Sequence, residues 1–403
     1  MRITGSDKNF DVTVDLVGSK SESNRVLMIG YYGGYTPRVK NLSESDDTKL
    51  LAQILNGINA HKAVNAIKEI NCANAGTVFR FLVTAFSLKL GTWILTGSDR
   101  MLQRPVGDLV DALRTIGADI EYLGREGFPP LRINGKQLKI NDISVNITNS
   151  SQFASSLLLA MPIVQTCHGA SLHLDGDLSS LPYIDMTIDV MQKFGIDVHR
   201  DGCDIFVQQS EYQDVEYTVE SDWTCASYWY EIVAFSENGR ARLRNLHLDS
   251  KQGDAIVAKW FEKFGVKSIQ DGNDVVITHV RTQRATSELP KSVEFDFINN
   301  PDLYPTIAAT CAGLGIEGRF TGLRNLIHKE SDRVAAMTME LSKKNIFDSH
   351  NDHRIAMALA PLAMKIGVIE INNADVVSKS YPGFWEEFQK INSSLMSKHP
   401  QCE

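Results

Sequence analysis

WFEKFGVKSIQDGNDVVITH, residues 260–279, contains the structural unit from which this chain is built. An amphipathic helical segment ends at Gly265, which can take the left-handed conformation of a helix C-cap, and the alternating residues after it predict a half-buried hairpin. The same order recurs in LRTIGADIEYLGREGFPPLRING around Gly117 and in MQKFGIDVHRDGCDIFVQQ around Gly195. Spacings of roughly 70 to 80 residues indicate a large supersecondary unit used several times, not a solenoid of short repeats.

A fourth copy would fall near residue 340, where the helical segment TMELSKKN appears without its hairpin. Ile346 and Phe347 lead almost at once into SHNDHR, so we expect one hairpin to be missing near residue 345. The sequence therefore predicts a mixed α/β (α+β) protein made of repeated helix-and-hairpin units, one of them shortened.

A polar stretch, GSKSESNRV at residues 18–26, predicts an anion-binding turn that opens a helix. Backbone N–H groups and the dipole at a helix start favour negative charge, Lys20 and Arg25 add full charges, and the serines add hydroxyl donors. An N-cap with a solvated polar face is the alternative, because Ser and Asn cap helices without any ligand.

Five other predicted helices begin with polar residues and then turn apolar: NAGTVFRFLVTAF from Asn74, RPVGDLVDAL from Arg104, SSQFASSLLLAM from Ser150, NPDLYPTIAAT from Asn300 and NDHRIAMALAPLAM from Asn351. Pro105 is expected in the first turn of its helix. Each start alone is explained by ordinary capping. Together, in an acidic protein and with several carrying an arginine, they suggest helix starts that converge on one anionic ligand.

Length and composition restrict the possible functions. The chain has 403 residues, which suits two domains, and a net charge of −8, which argues against a nucleic-acid surface and for a small anionic substrate. Six cysteines without paired spacing predict reduced thiols rather than disulfides or a zinc site: Cys72, Cys167, Cys203, Cys225, Cys311 and Cys402. We find no resemblance to a signal peptide and no apolar run near the roughly 18 residues of a membrane helix, so we expect a soluble, cytoplasmic protein.

Ten segments stand in a fixed order along the chain: GSKSESNR at 18–25, NAGTVFR at 74–80, QRPVGDL at 103–109, SSQF at 150–153, SSLPYIDMT at 179–187, VESDWTCASYW at 219–229, PDLYPTIA at 301–308, LRNLIHKESDR at 323–333, NDHRIAMA at 351–358 and KSYPGFWE at 379–386. Any one segment is a weak signal, whereas all ten in order are specific. In this series the chain resembles the 5-enolpyruvylshikimate-3-phosphate synthase family of enolpyruvyl transferases.

The resemblance implies a two-domain inside-out α/β barrel built from repeated units, with helices inside and sheets outside. In such proteins the chain starts in one domain, completes the second and then returns, so crossings are expected near Gly18 and Asp222. Residues 1–18 plus 222–403 would form the discontinuous domain, which carries Asp302, Glu330, Arg333, Arg354 and Lys379. Residues 19–221 would form the inserted domain, which carries Arg25, Gly76, Arg104, Ser150, Gln152 and Ser180.

The reaction implied is transfer of the enolpyruvyl group of phosphoenolpyruvate to the 5-hydroxyl of shikimate 3-phosphate, with release of phosphate, on the shikimate pathway to chorismate and aromatic amino acids. Two phosphates and two carboxylates must be bound, and the planar fork of arginine bonds two such oxygens at once. The matching phosphoenolpyruvate contacts are Lys20, Gly76, Arg104, Gln152, Arg333, Arg354 and Lys379. The matching shikimate 3-phosphate contacts are Lys20, Ser21, Arg25, Ser150, Ser151, Gln152, Ser180, Tyr183, Asp302, Asn325 and Lys329.

An acid and a base are required, because C3 of phosphoenolpyruvate must gain a proton before C2 becomes an electrophile. Asp302 matches the family position proposed to take the proton from the 5-hydroxyl. Glu330 matches the position proposed to exchange the proton at C3, with Lys20 as the other candidate. Burial would favour a protonated Glu330 and nearby basic groups would oppose it. Without the resemblance, Asp302 would be interpreted as a helix cap and KESDR, residues 329–333, as a solvated charge run.

The resemblance implies neither a metal nor a cofactor, and we expect a monomer. His350, Asp352 and His353 could be mistaken for metal ligands, but no third histidine lies nearby at a ligand spacing. His353 is expected to lie beside Arg354 or simply to pack. Cys72 is expected to be a buried structural thiol rather than a nucleophile.

Three residues depart from the family pattern. Val17 stands where a proline often precedes the glycine of the anion-binding turn. Phe81 follows Arg80 where some family members have proline, and this difference leaves sensitivity to glyphosate, the family's inhibitor, open. Glu22 places an acid inside the anion-binding turn. It must point outward or be paired, since otherwise it would repel both substrates.

Three other functions are compared with this one. A UDP-N-acetylglucosamine enolpyruvyl transferase would carry asparagine in place of Ser21, and the SSQF and KESDR segments favour a phosphorylated shikimate acceptor. RNA 3′-phosphate cyclase shares the repeat architecture but predicts a basic RNA surface and a catalytic histidine, and the acidic net charge weighs against it. A non-catalytic ligand-binding relative is conceivable because one repeat is shortened.

Overall fold

The structure is a computed structural model of the 403-residue chain. It describes residues 1–5, 8–60, 67–164, 169–280 and 289–391, so Cys167 and Cys402 lie outside the described residues. The chain folds into two compact units. Unit 1 consists of Met1–Ser19, Glu220–Ile327 and Ser331–Glu403, and unit 2 consists of Lys20–Val219 and His328–Glu330.

The helices are α1 Lys20–Gly33, α2 Asp46–Ala60, α3 Gly76–Leu88, α4 Gly107–Thr115, α5 Gln152–Ala160, α6 Leu181–Lys193, α7 Trp223–Phe235, α8 Val257–Trp260, α9 Tyr304–Leu314, α10 Arg333–Leu341, α11 His353–Leu359, α12 Ala363–Ile366 and α13 Phe384–Gln389. Within the described residues, none of these helices combines the length and the apolar character that crossing a membrane requires.

The strands are β1 Arg2–Thr4, β2 Asn9–Val14, β3 Arg38–Lys40, β4 Lys68–Asn71, β5 Gly91–Thr96, β6 Asp119–Tyr122, β7 Leu131–Gly135, β8 Asp142–Asn146, β9 Ala170–Asp175, β10 Val198–Asp201, β11 Asp204–Val207, β12 Glu216–Thr218, β13 Asn238–Leu243, β14 Val266–Asp271, β15 Asp274–His279, β16 Ser292–Asp296, β17 Glu317–Thr321, β18 Ile346–Asp348 and β19 Val368–Asn372.

In unit 2 the helices lie inside and the sheets outside. Two four-stranded sheets have the orders β4-β5-β7-β6 and β10-β11-β9-β8, and β3 pairs in parallel with β12. A strand such as β8 buries every second residue, so one face of its sheet stays exposed. Helices α3 and α5 are instead buried almost all round, as apolar helices inside a domain are.

Unit 1 repeats this arrangement. Its sheets have the orders β14-β15-β13-β2 and β1-β19-β18, and β16 pairs with β17. All 13 residues of α7 are buried, and α9 packs against both α7 and α11. Strands β16 and β19 alternate between exposed and buried residues. Buried helices and half-exposed sheets in each unit agree with the expected inside-out architecture.

The three predicted hairpins are confirmed. Strand β6 pairs with β7, β10 with β11 and β14 with β15, all antiparallel. Gly117, Gly195 and Gly265 precede them with φ angles of 92°, 85° and 80°. A residue without Cβ takes this left-handed conformation at a helix end without strain, which lets the chain turn from helix to hairpin.

The missing hairpin near residue 345 is also confirmed. Strand β18 pairs in parallel with β19, and in the described stretch between α10 and α11 it is the only strand. Glu340, buried in α10, accepts hydrogen bonds from Lys343 Nζ at 2.8 Å and lies 2.6 Å from Nε2 of His350. The contacts of Glu340 with Lys343 and His350 lie at the end of the shortened unit, at the point where the other units continue into a hairpin.

The helix predicted from Arg104 begins later than expected. Helix α4 starts at Gly107, so the prediction of Pro105 in its first turn is wrong. The backbone N–H groups of Val106 and Gly107 both donate to the carbonyl oxygen of Gly127, at 2.9 and 3.1 Å. These bonds hold the chain before the helix, a contact that local sequence does not reveal.

Candidate active site

The polar stretch of residues 18–26 opens helix α1 in unit 2, as predicted. Lys20 is the first residue of this helix, and its Nζ lies 3.2 Å from Oδ2 of Asp47 in the first turn of α2. The ion pair fixes the ammonium group of Lys20 at a helix start, where the backbone also favours anions.

Arg25 joins three helices of unit 2. Its buried guanidinium donates to Thr187 Oγ1 at 2.7 Å and Ser155 Oγ at 3.1 Å, and to the carbonyl oxygens of Ser21 and Tyr183 at 2.7 and 2.9 Å. Burial lowers the pKa of Arg25 to about 10, which leaves the group charged at neutral pH. Counted over the described residues, these bonds occupy four of the five N–H donors of an arginine.

Glu22 is buried and paired rather than pointing outward. Only 7% of its surface is exposed, and the hydroxyl of Tyr217 donates to its Oε1. Of the two arrangements that the sequence left open, the structure therefore has the paired one. A hydrogen-bonded carboxylate is tolerated in a buried position that would otherwise be unfavourable.

Arg104 lies against the backbone of Gly76. A Cβ atom at position 76 would stand 2.7 Å from Cζ and both terminal nitrogens of Arg104. Arg104 is 4% exposed, and its NH1 donates to the carbonyl oxygen of Asn74 at 3.2 Å. Position 76 must therefore be glycine for Arg104 to keep this place.

Arg80 was missing from the sets of predicted site residues. It is buried in α3, where NH1 donates to Gln152 Oε1 at 2.6 Å and NH2 to the carbonyl oxygen of Pro105 at 3.0 Å. Gln152 Nε2 donates in turn to Thr77 Oγ1 at 2.8 Å. Burial, and then the charge of Arg104, hold the pKa of Arg80 well below its usual value. The sequence feature that could have identified Arg80 is the presence of an arginine inside the apolar run of α3.

The segment His328–Glu330 groups with unit 2. Arg100 donates through Nε and NH2 to the carbonyl oxygen of Lys329, at 3.0 and 2.8 Å. Oε1 of Glu330 lies 3.8 Å from NH1 of Arg104, and the two side chains are 9% and 5% exposed. A solvated charge run is therefore the wrong interpretation for Glu330 and Arg333 of residues 329–333, although Asp332 of that run is exposed.

The predicted serines of unit 2 stand at three helix starts, Ser21 in the first turn of α1 and the others at the starts of α5 and α6. Ser150 Oγ accepts from the backbone N–H of Gln152 at 3.2 Å, and Ser151 directly precedes α5. Ser180 directly precedes α6 with a φ of 55°, and Tyr183 lies in the first turn of that helix. A left-handed serine costs on the order of 1–3 kcal/mol, and strain of this kind clusters at ligand-binding sites.

In unit 1, four charged residues form a buried cluster. Asp302 Oδ1 accepts from Arg333 NH1 at 2.7 Å, and its Oδ2 accepts from Arg354 NH2 at 2.8 Å. Asp352 Oδ2 accepts from Arg333 Nε at 2.8 Å, and its Oδ1 accepts from the backbone N–H of Arg354 at 3.0 Å. The carboxylate of Asp302 thus binds two arginines, so the helix-cap interpretation is wrong.

The remaining candidates differ in their surroundings. Asn325 and Lys379 lie in unit 1 and are each 9% exposed, and His353 is 1% exposed. Burial raises the pKa of the Cys72 thiol to about 12, so it is not a nucleophile at neutral pH. In the described part of the chain, no three His, Cys, Asp or Glu side chains are grouped to hold a metal ion.

Comparison with known proteins agrees with the family resemblance that the sequence shows. A family profile described as EPSP synthase (3-phosphoshikimate 1-carboxyvinyltransferase) matches residues 6–346 and 342–388. A 3-phosphoshikimate 1-carboxyvinyltransferase of Bacteroides fragilis strain YCH46 is 37% identical over 418 residues, which cover 98% of each chain. One from Vibrio vulnificus strain YJ016 is 33% identical over 430 residues, covering 96% of this chain and 97% of the relative.

Solved structures show the same fold. EPSP synthase from Acinetobacter baumannii superposes with a TM-score of 0.73 at 21% identity, covering 97% of this chain and 98% of that one. The enolpyruvyl transferase NikO from Streptomyces tendae superposes with a TM-score of 0.68 at 15% identity, covering 97% and 96%. On the family profile and on relatives above 30% identity along nearly the whole length, the chain belongs to the EPSP synthase (3-phosphoshikimate 1-carboxyvinyltransferase) family.

Proposed function

We propose that this chain transfers the enolpyruvyl group of phosphoenolpyruvate to the 5-hydroxyl of shikimate 3-phosphate and releases phosphate. Membership of the family along nearly the whole chain supports the reaction. One structural observation carries the chemistry: Asp302 is buried, and each of its carboxylate oxygens accepts a hydrogen bond from an arginine. The oxygens of this carboxylate have further lone pairs that can accept a proton.

The phosphoenolpyruvate contacts are assigned to basic groups that the fold holds in place. In unit 2, Arg104 is supported by Gly76. In unit 1, Arg333 and Arg354 are each bonded to Asp302. Arginines fixed in this way offer preorganised donors to a carboxylate and a phosphate. The assigned set is Lys20, Gly76, Arg104, Gln152, Arg333, Arg354 and Lys379.

The shikimate 3-phosphate contacts are assigned mainly to hydroxyl and basic groups at helix starts. The fifth N–H donor of Arg25 and the left-handed turn at Ser180 support this assignment. The assigned set is Lys20, Ser21, Arg25, Ser150, Ser151, Gln152, Ser180, Tyr183, Asp302, Asn325 and Lys329.

In the proposed mechanism Asp302 accepts the proton of the 5-hydroxyl while that oxygen bonds to C2 of phosphoenolpyruvate. C3 gains a proton at the same stage, from Glu330 or from Lys20. The tetrahedral adduct then loses a proton from C3 and its phosphate group, which restores the double bond. Each transfer needs a donor and an acceptor of matched strength, which is why the surroundings of these three groups matter.

A phosphate-release assay tests the function. Purified protein with phosphoenolpyruvate should release phosphate only when shikimate 3-phosphate is added, and a chelator should not stop it. Release with UDP-N-acetylglucosamine instead would assign the other acceptor. Binding of both ligands without release would support the non-catalytic relative, and adenylation of a histidine by ATP would favour the cyclase.

We also propose that the two units are the domains of a cytoplasmic monomer. Cys72, Cys203, Cys225 and Cys311 are free thiols, as is usual in a reducing compartment. Light scattering after size exclusion should give the 44.8 kDa of one chain. A mass near twice that value would contradict the monomer.

A further inference from the structure

Unit 1 holds a second buried carboxylate close to Asp302. Asp254 lies in the 3-10 segment Gly253–Ile256 before α8 and is 4% exposed. Thr224 Oγ1, in the first turn of α7, donates to Asp254 Oδ2 at 2.5 Å. Asn300 Nδ2 donates to Asp254 Oδ1 at 3.3 Å. None of the roles assigned above uses this group.

Asn300 connects Asp254 to the turn that carries Asp302. It precedes the 3-10 turn Pro301–Leu303, and its carbonyl oxygen accepts from the backbone N–H of Leu303 at 3.1 Å. The side chain of Asn300 is therefore held by Asp254 while its backbone closes the turn around Asp302. A shift of this residue would move Asp302 relative to its two arginines.

Asp254 is also coupled to Asp302 by charge. Burial, and next the charge of Asp302, raise the pKa of Asp254 to about 6, while Thr224, Arg354 and Asn300 oppose the shift. The charged groups that face it are thus Asp302 from the 3-10 turn and Arg354 from α11. Because the interaction is mutual, a negative Asp254 also raises the proton affinity of Asp302.

This coupling offsets a disadvantage of the cluster. Arg333 and Arg354 bond to Asp302 and make its carboxylate a weaker base, whereas a second buried carboxylate acts in the opposite direction. We propose that Asp254 is a positioning residue for Asp302: it fixes the turn through Asn300 and, when ionised, strengthens Asp302 as a proton acceptor. The inference rests on the proposed function, in which Asp302 is the base.

Turnover measured against pH is the first test. Asp254→Asn keeps the shape of the side chain and should lower kcat at pH 8 by roughly tenfold, with both KM values within about twofold of wild type. The rise of kcat through pH 6 should disappear. Thr224→Val removes a bond that favours the ionised form of Asp254, so it should move that rise to higher pH.

A matched control removes one aspartate charge elsewhere in unit 1. Asp271→Asn, at the ion pair with Arg242, should leave the pH profile unchanged. An Asp254→Asn enzyme with wild-type kcat and pH profile would overturn the inference. So would a lower kcat with an unshifted profile, because a merely structural role predicts that result.

A second measurement does not depend on turnover. With aspartate labelled by ¹³C at the carboxyl carbon, the resonance of Asp254 can be assigned by its loss in Asp254→Asn. Its titration midpoint should fall by roughly half a pH unit or more in Asp302→Asn, because the charge of Asp302 raises the pKa of Asp254. An unchanged midpoint would overturn the inference even in an inactive protein, whereas an inactive wild type with a shifted midpoint would contradict only the proposed function.

Discussion

The carboxyl group of Glu231 should make unit 1 less stable as the pH rises. Glu231 lies in the middle of α7 and is 0% exposed. Among the described residues, neither of its carboxyl oxygens has a hydrogen-bond partner. Burial raises the pKa of Glu231 well above the usual value of 4.5. The pKa of the neighbouring Cys311 thiol is raised to about 12, first by burial and then by the charge that an ionised Glu231 would carry.

The size of the effect follows from proton linkage. The folded state keeps a proton on Glu231 that the unfolded chain loses above pH 4.5. Stability relative to a non-titrating side chain therefore falls by about 1.4 kcal/mol per pH unit, as long as the pH stays below the folded-state pKa. From pH 5 to pH 7 the loss is about 3 kcal/mol, which for a unit of this size corresponds to roughly 6–12 °C in Tm.

Thermal unfolding of wild type and Glu231→Gln at pH 5, 6 and 7 measures this loss. The glutamine keeps the shape and polarity of the side chain but does not titrate, so the advantage of the variant in Tm should grow with pH. Glu231→Met also removes the unpaired polar atoms, so it should raise the free energy of unfolding by a further 1–3 kcal/mol or so at every pH, which is about the cost of burying such atoms.

Glu237→Gln is the matched control, because Glu237 is exposed and its Oε1 lies 4.0 Å from Nζ of Lys8, a long distance for an ion pair. Its difference in Tm from wild type should be small and should not depend on pH. If the difference between wild type and Glu231→Gln is the same at pH 5 and pH 7, Glu231 does not carry a buried proton and the reasoning from its burial is refuted.

Three other substitutions test contacts described for the candidate active site. Asp302→Asn should reduce kcat by about 10²–10⁴ with little change in ligand affinity by calorimetry, and a nearly active variant would remove Asp302 from its role as base. Gly76→Ala should displace the end of Arg104, a flexible group 2.7 Å from the new Cβ, so KM for phosphoenolpyruvate should rise by about tenfold while Tm changes little; an unchanged KM would contradict the contact. Tyr217→Phe removes the hydroxyl group that donates to Glu22 and should cost about 1–3 kcal/mol in denaturant unfolding, and an unchanged free energy of unfolding would show that this hydrogen bond does not stabilise unit 2.

Local patterns in the sequence were sufficient for much of the fold. A glycine at a helix end and the alternation after it are features of neighbouring residues, so the hairpins after Gly117, Gly195 and Gly265 could be predicted. The absence of a hairpin before His350 could be predicted for the same reason. The start of α4 could not, because the oxygen of Gly127 that binds Val106 and Gly107 comes from a loop about 20 residues further on.

The side-chain networks were harder to predict than the elements that carry them. Asp254, Asn300 and Thr224 are far apart in sequence, and each alone looks like an ordinary polar residue near a turn or a helix start. Glu231 follows three aromatic residues in a helix, where a surface position would be a reasonable expectation. What distinguishes these residues is burial, which depends on how the helices of unit 1 pack.

The charge balance of the cluster in unit 1 decides which substitutions are informative. Arg333 bonds to both Asp302 and Asp352, and Arg333 and Asp352 are 1% and 0% exposed. Removing one member of such a buried pair leaves an unpaired charge, at a cost of about 3–5 kcal/mol. Replacing Arg333 would therefore reduce activity through folding as well as through any contact with substrate. In Asp302→Asn the amide keeps one oxygen that can accept a hydrogen bond from one arginine, and position 302 is less buried than positions 333 and 352. A loss of turnover in a folded Asp302→Asn variant can therefore be attributed to the missing base.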